Sequence, residues 1–298
     1  MRYKRAHVVR PNAAPHLFMT AVDLDRVARL IREVAEAEIL PRFRRLEDHH
    51  AWEKRSGSIV TVADEAAERR LEDGLLALAP GAVALGEEAA ELDSSIFERL
   101  LDDVPVWVID PVDGTKNFAA GKPDFAVIVA YVVAGETVAG WIHDPVRNRT
   151  AMAAVGQGAR TADGEALRIA EPALLAEMSG VLGPRLTRHK PFSERFAGIS
   201  NSKSCGVDYV RLAAGEVHFA YYRGLLPWDH AAGALLHAEA GGFSACLDGR
   251  PYRSCERGVG GLLLAPDRAT WQIIADDIPD ALAAAGAPLD VAGLPARV

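Results

Sequence analysis

Cysteine, lysine and long apolar runs are all scarce in this chain of 298 residues, and each scarcity narrows what it can be. Its three cysteines, Cys205, Cys246 and Cys255, form no C-x-x-C pair and leave an odd thiol. Neither a disulfide framework nor a thiolate zinc site is expected, and reduced thiols suit a cytoplasmic location. Lysine occurs six times among 33 basic residues, which are outnumbered by 41 acidic ones for a net charge of −8. Binding nucleic acid by counterion release needs a basic face. No basic run lies beyond the N-terminal tail, so no nucleic-acid partner is expected. The longest apolar run, from Phe125 to Gly135, is hemmed in by Asp124 and Glu136. It falls well short of the ~20 residues a helix needs to cross a bilayer. It reads as a buried strand, and no membrane partner is expected. The charged start of the chain has no apolar stretch behind it and does not read as a secretory leader.

What is present is an ordinary globular composition, 49% hydrophobic and 25% charged, which excludes a disordered or collagen-like chain. The length predicts two units or one large layered domain. Residues 1–19 are basic, with proline and asparagine, and read as a loose arm. Thr20, three residues before Asp23, resembles a capping box that opens a helix running to Pro41. A second helix is expected over 64–78, closed by Pro80-Gly81, then a strand at 83–85, helix at 94–101 and a buried strand at 106–109 that ends on Asp110. Strands at 127–133, 137–142 and 149–154, separated by turn residues, predict an antiparallel meander. Pro172 and a changed pattern mark a boundary near 170, so that residues 20–170 and 171–298 form two halves. In the second half, helices are expected at 207–214, 229–240 and 266–285, and strands at 217–222 and 261–264. Strands and helices mix in both halves, which predicts an α+β or layered α/β fold.

The chemistry gathers where elements end. Asp110-Pro111-Val112-Asp113-Gly114-Thr115 leaves a hydrophobic strand and turns sharply. Two carboxylates three residues apart at a strand exit can point at one spot, with the Val112 carbonyl between them; hard oxygens of this kind suit Mg²⁺ or Mn²⁺. A helix starting after Gly114 would aim its free amides and the Thr115 hydroxyl at the same place. Three further segments, Gly86-Glu87-Glu88, Trp228-Asp229 before a clear helix, and 58–64 ending on Asp64, each have an ordinary explanation as a loop or a helix cap. Their joint occurrence is what carries information.

Together these segments resemble the inositol monophosphatase family of Mg²⁺-dependent, lithium-sensitive sugar phosphatases. Asp110 to Thr115 is similar to its D-P-[IV]-D-G-T signature, followed by Asn117-Phe118. Trp228-Asp229-His230-Ala231-Ala232-Gly233 with Glu239-Ala240-Gly241-Gly242 is similar to its second signature, W-D-x-A-[AG]-G then E-A-G-G. Gly86-Glu87-Glu88 matches G-E-E, and Lys54, Gly57, Val60-Thr61 and Asp64 match K-x-G-x-x-V-T-x-x-D. The resemblance spans roughly residues 23 to 270. It implies an α/β/α/β/α sandwich, usually a homodimer, binding two or three Mg²⁺ ions. Glu87, Asp110 and the Val112 carbonyl would hold a first ion; Asp110, Asp113 and Asp229 a second; Asp64 and Glu87 would lie near a third. Thr115, with Asp64 or Glu87, would orient and deprotonate a metal-activated water for in-line attack, and the amides of Gly114 and Thr115 would hold the phosphate. Five carboxylates in one cleft would otherwise repel a phosphate, and divalent ions offset that charge.

The implied activity is that of a phosphomonoesterase acting on a small phosphorylated metabolite, inositol phosphate or a relative. Two departures bear on the substrate. Lys203-Ser204-Cys205 stands where the family often has Gly-[ST]-Ala, and Tyr222 stands where inositol phosphatases carry a Glu that hydrogen-bonds ring hydroxyls. Lys203, Ser204 and Tyr222 are therefore expected to face the substrate. Tyr222 suits stacking on a flat ring or plain packing, and Lys203 a second anion. Histidinol phosphate, a nucleotide 3′-phosphate and fructose bisphosphate stay open as substrates, and a non-catalytic metal- or ligand-binding relative is the alternative of another class. His230 and His237, seven residues apart on one helix, make poor zinc ligands. His143-Asp144-Pro145 reads as a strand-end turn and His49-His50 as a surface loop. Cys205 has no base beside it to activate it.

Overall fold

The computed structural model describes residues 22–47, 50–54, 59–256, 260–287 and 289. The arm expected over 1–19, together with Thr20, His49, Gly57 and Ser58, lies outside them. Helix α1 (Leu24–Val34) does not open on a box led by Thr20. Asp23 is itself the cap, its carboxylate accepting from the amides of Asp25 and Arg26, because aspartate satisfies the first free N–H groups as well as threonine does. The helix widens into a π-helical turn, Ala35–Ile39, before Pro41. A short hairpin, β1 (Ala51–Glu53) and β2 (Ile59–Thr61), leads into α2 (Val62–Leu78), whose first turn is locked by a capping box between Thr61 and Asp64.

Next come β3 (Val83–Gly86), α3 (Glu87–Leu92), a 3₁₀ segment (Ser94–Leu101), β4 (Val106–Asp113) and the short α4 (Thr115–Ala119). The expected meander follows as β5 (Ala126–Val133), β6 (Glu136–Asp144) and β7 (Arg149–Ala154), extended by β8 (Ala159–Thr161). These strands form a six-stranded sheet in the order β3-β4-β5-β6-β7-β8, with β3 and β4 parallel and the rest antiparallel. The remaining elements are β9 (Ser179–Leu182), α5 (Pro184–Arg188), α6 (Lys190–Ser193), β10 (Gly198–Ser200), α7 (Cys205–Ala213), β11 (Phe219–Tyr222), α8 (Pro227–Glu239), β12 (Phe243–Cys246), β13 (Leu262–Ala265) and α9 (Arg268–Ala284). Their strands make a five-stranded sheet ordered β10-β9-β11-β13-β12.

Strand alternation decides what each face meets. On β4, Trp107 and Ile109 pack with Ile31, Leu71 and Leu75 of α1 and α2, while Val106 and Val108 turn to the other side. There α7 and α8, with Tyr209, Leu212 and Ala231, fill the space between the two sheets. On β13, Leu262 and Leu264 join that central layer, whereas Leu263 and Ala265 face Ile274 and Ile278 of α9. The result is the layered α/β/α/β/α sandwich. One large sheet lies on each side of residue 170, and the central core draws on both.

Three expectations need correction. Helix α8 begins at Pro227 and not at Asp229, so Asp229 sits in its first turn and the ordinary explanation of it as a cap does not apply. Helix α7 begins at Cys205, capped by Ser204, two residues earlier than periodicity implied. Strand β4 does not stop at Asp110 but continues through Asp113, with a bulge between the two.

Candidate active site

That bulge organises the site. Residues three apart on a regular strand point to opposite faces, and one extra residue restores them to the same side. Asp110 pairs with Ile128 and Asp113 with Ala126, so three steps on β4 oppose two on β5. Carboxylate oxygens of Asp110, Asp113 and Asp229 all lie within 4.8 Å of one another, a grouping able to hold a metal ion. Gly114 follows with φ of +90°, a left-handed conformation that turns the chain into α4. A side chain there would press on Ser204 and on the Asp124 carbonyl.

Support for these carboxylates is uneven. Asp113 accepts from the Ser204 hydroxyl at 2.5 Å, the Gly206 amide at 2.6 Å and the Cys205 amide at 3.1 Å. Asp110 accepts from the Val112 amide, its one hydrogen bond among the described residues. Among the described residues, no hydrogen bond ends on Asp229. Asp64, buried at the start of α2, accepts from the Thr61 amide and hydroxyl through Oδ2. Its Oδ1 lies 3.2 Å from the Thr115 hydroxyl, whose single proton is shared with the Val112 carbonyl at 2.9 Å.

Burial dominates the protonation behaviour. It pushes Asp64 up to about 6, against the opposing pull of the Thr61 hydrogen bonds. Asp113 is likewise pushed up to about 6 by burial, in spite of its three donors. Asp110 and Asp229 are raised well above the carboxylate range, first by burial and then by the neighbouring carboxylates. Such a cluster is short of positive charge. The donors are hard oxygens, Asp229 has no hydrogen-bonding partner among the described residues, and a divalent cation fits the set.

Lys54 and Glu68 complete the wall, and neither received a role from sequence reasoning. The Lys54 ammonium bridges Glu87 and Glu88, 2.8 Å from each. Glu68 accepts from the amides of Glu88 and Ala89, capping α3 and so aiming Glu87. Burial pushes Glu68 up to about 7 and Glu88 up to about 8. A side chain on Gly86 would collide with the Glu68 carboxyl. The readable signal was the spacing of Asp64 and Glu68, four apart on one helix and hence on one face. Asn117 is a third missed residue: its side chain donates to the carbonyls of Asp124 and Ser202, tying the turn after Gly114 to the loop before α7.

Residues 19–280 match the sequence profile described as the inositol monophosphatase family. The chain belongs to that family. It is 35% identical over 206 residues to a Thermotoga maritima protein named fructose-1,6-bisphosphatase/inositol-1-monophosphatase, covering 66% of this chain and 76% of that one. It is 34% identical over 238 residues to a Mycobacterium leprae inositol-1-monophosphatase, covering 76% and 77%. A solved Thermotoga maritima IMPase superposes with a TM-score of 0.76 at 29% identity, covering 88% of this chain and 99% of that one.

Within this inositol monophosphatase family fold, the expected substrate-facing residues are placed differently from one another. Ser204 is committed to Asp113 and to capping α7, so its hydroxyl is not free to face a substrate. Lys203 is exposed, on a left-handed backbone with φ of +66°. The Tyr222 ring stacks on Tyr209 with centroids 5.2 Å apart and tilts against His230 at 4.9 Å. Its hydroxyl is buried without a hydrogen-bond partner among the described residues. His230 is fully engaged, through Nδ1 with the Tyr209 hydroxyl and through Nε2 with the Gly224 carbonyl. That argues against metal binding by the nearby Cys205, Asp229 and His230 grouping. Burial beside the aspartates holds the Cys205 thiol well above its usual range and therefore protonated. His237 is packed without a hydrogen-bond partner among the described residues.

Proposed function

We propose that this chain is a metal-dependent phosphomonoesterase acting on a small phosphorylated metabolite. The observation that carries the reading is the convergence of Asp110, Asp113 and Asp229 within 4.8 Å, with Asp229 lacking a hydrogen-bond donor of its own among the described residues. Asp110, Asp113, Asp229, Glu87 and the Val112 carbonyl are assigned to hold Mg²⁺, or Mn²⁺, with Asp64 beside them. Bound there, divalent cations would offset the carboxylate charge, draw electron density from phosphoryl oxygens and acidify water.

The chain's own groups have distinct tasks in this reading. Thr61 fixes Oδ2 of Asp64, which leaves Oδ1 facing the Thr115 hydroxyl. That pair orients a water and takes its proton at Asp64 Oδ1. The amides of Gly114 and Thr115, where the chain turns into α4, hold the phosphate. Ser204 acts through Asp113, as a positioning residue. The test is phosphate release from a panel of phosphomonoesters, with Mg²⁺ and with excess chelator. Release that needs Mg²⁺ supports the reading, and full activity in chelator overturns it. Absence of release from every ester would favour a non-catalytic relative.

Tyr222 stands where ring-hydroxyl recognition expects a carboxylate, and its buried hydroxyl and packed ring supply none. We therefore infer that inositol 1-phosphate is handled less well than an ester with an aromatic ring or a second anion, such as histidinol phosphate, a nucleotide 3′-phosphate or fructose bisphosphate. The homodimer and the cytoplasmic location implied by resemblance and composition belong to the same proposal. No helix among the described residues is long and apolar enough to cross a membrane.

A further inference from the structure

A separate concavity of about 390 Å³ opens on the outer side of the five-stranded sheet. Leu186, Tyr221 and Leu282, all buried, form its floor, and the exposed Arg185, Arg188 and Arg223 surround it. No carboxylate is among its described lining residues. The contrast with the adjoining chain is direct. Lys190 and Arg195 are paired with Glu194 and Asp277, whereas Arg185 and Arg188 have no such ion pair among the described residues. Arg185 and Arg188 thus bring two guanidinium groups to an apolar hollow with no carboxylate among its described lining residues, in a chain whose net charge is −8.

The position is informative too. Strands β9, β10 and β11 run parallel, so their carboxyl ends share one edge. Gly183 to Arg185 follow β9, Asn201 to Ser204 follow β10, and Arg223 follows β11 six residues before Asp229. The Asn201 side chain donates to the Leu182 carbonyl, joining two of these loops. Beyond the carboxyl ends of parallel strands is where open α/β sheets take up small ligands. Tyr222 faces the central core and Tyr221 the hollow, so one strand contributes to both places.

We propose that this hollow binds a small anion carried on an apolar or aromatic body, with its phosphate, sulfonate or carboxylate group held by Arg185 and Arg188 and the body lying on Tyr221, Leu186 and Leu282. Guanidinium groups suit such oxyanions because their N–H fork can meet two oxygens at once. Two sources share this chemistry: the distal end of a substrate whose phosphoryl group lies at the aspartates, or a separate effector. The first of these rests on the phosphatase reading.

The test uses 1-naphthalenesulfonate, which has no phosphoryl group to hydrolyse, titrated by calorimetry into the full chain in excess chelator. One-to-one binding is expected, weakened by salt and unchanged in Asp229→Asn. Removing two charge-assisted contacts in an Arg185→Ala/Arg188→Ala double variant should weaken it roughly tenfold or more. Both arginines are exposed, and circular dichroism checks that the variant folds. A double Arg→Lys variant should fall between the two. Absence of binding, or equal binding by the alanine variant, overturns the proposal. In a phosphate-release assay, competitive inhibition assigns the hollow to the distal end of the substrate, and non-competitive inhibition to an effector. Because the titration needs neither metal nor turnover, it stands whether or not the phosphatase reading does.

Discussion

Asp113 and Tyr222, both assigned to the site from sequence, are held in opposite ways. Asp113 is gripped by a hydroxyl and two amides, all within 3.1 Å. The Tyr222 hydroxyl has no partner among the described residues, and its ring is placed by packing against Tyr209, His230 and the central core. A carboxylate that must hold a cation needs fixed lone pairs, and backbone amides are the most rigid donors available. A wall that meets a leaving group needs shape, and rings supply it without fixing a hydrogen-bond pattern. The acidic side therefore tolerates little change, while the aromatic side can be altered to suit another substrate. Asp229 marks the limit of the comparison: it belongs to the acidic side, yet no hydrogen bond among the described residues holds it.

The largest expected effect breaks the comparison at Asp229. If it serves only the helix, Asp229→Asn should change little, since no cap is lost. If it binds a cation, phosphate release should fall by more than the roughly 10–100-fold that second-layer partners cost, with the unfolding temperature preserved. A rate near that of the parent would remove Asp229 from the cluster. Ser204→Ala comes next. It deletes the 2.5 Å bond to Asp113 and should weaken the apparent Mg²⁺ affinity by about 10–100-fold. Maximal rate should recover at high Mg²⁺, so a Mg²⁺ titration separates loss of positioning from loss of chemistry.

Removing metal altogether should expose the strain on the acidic side as a pH effect. Asp64 and Asp113, from 3.8, sit at about 6 in the fold, and Glu68 and Glu88, from 4.5, at about 7 and about 8. Their folded values lie above the unfolded ones, so the fold binds more protons than the unfolded chain. The associated stability is complete below about pH 4 and is lost as pH rises through 6 to 8. In chelator, the unfolding temperature should fall across pH 5 to 8 by several degrees, on the order of 4–8 °C per kcal/mol in small domains and less in larger ones. Mg²⁺ should raise it most at the alkaline end. A flat profile in chelator would mean that the carboxylates are not crowded as described.

How much of this was readable without coordinates depended on whether the signal was local. The strands of the meander and the body of α2 follow from alternation and period, and the residue types at their ends pointed to one cleft. The bulge in β4 was not readable, because nothing between Asp110 and Asp113 distinguishes an extra residue in a ladder from the end of a strand. The start of α8 was expected at Asp229 and not at Pro227, because Pro227 fits the first turn of a helix as readily as the loop before it. The glycine of Ala231-Ala232-Gly233 has its reason in another element: a side chain at Gly233 would enter the Tyr209 ring of α7. Glu68 and Lys54 act on Glu87 and Glu88 across long separations in sequence, and period alone cannot find such pairs.

The smallest effect sharpens the aromatic side. Tyr222→Glu places a carboxylate where the Tyr222 ring now stacks on Tyr209 and tilts against His230. The acidic cluster treats every phosphoryl group alike, so discrimination has to come from the leaving group. A carboxylate able to accept from ring hydroxyls contributes about 1 kcal/mol or more per good bond, and lost stacking costs about as much for an aromatic ester. The ratio of kcat/KM for inositol 1-phosphate to that for histidinol phosphate should therefore rise several-fold in the variant. In the parent chain the same ratio should favour the aromatic ester, or an ester with a second anion such as adenosine 3′,5′-bisphosphate. If inositol 1-phosphate is the better substrate of the parent, Tyr222 is a packing residue and the wall does not select. If the ratio is unmoved by Tyr222→Glu while the parent still prefers the aromatic ester, selection lies elsewhere on the wall, and Lys203 and Cys205 are the positions to change next.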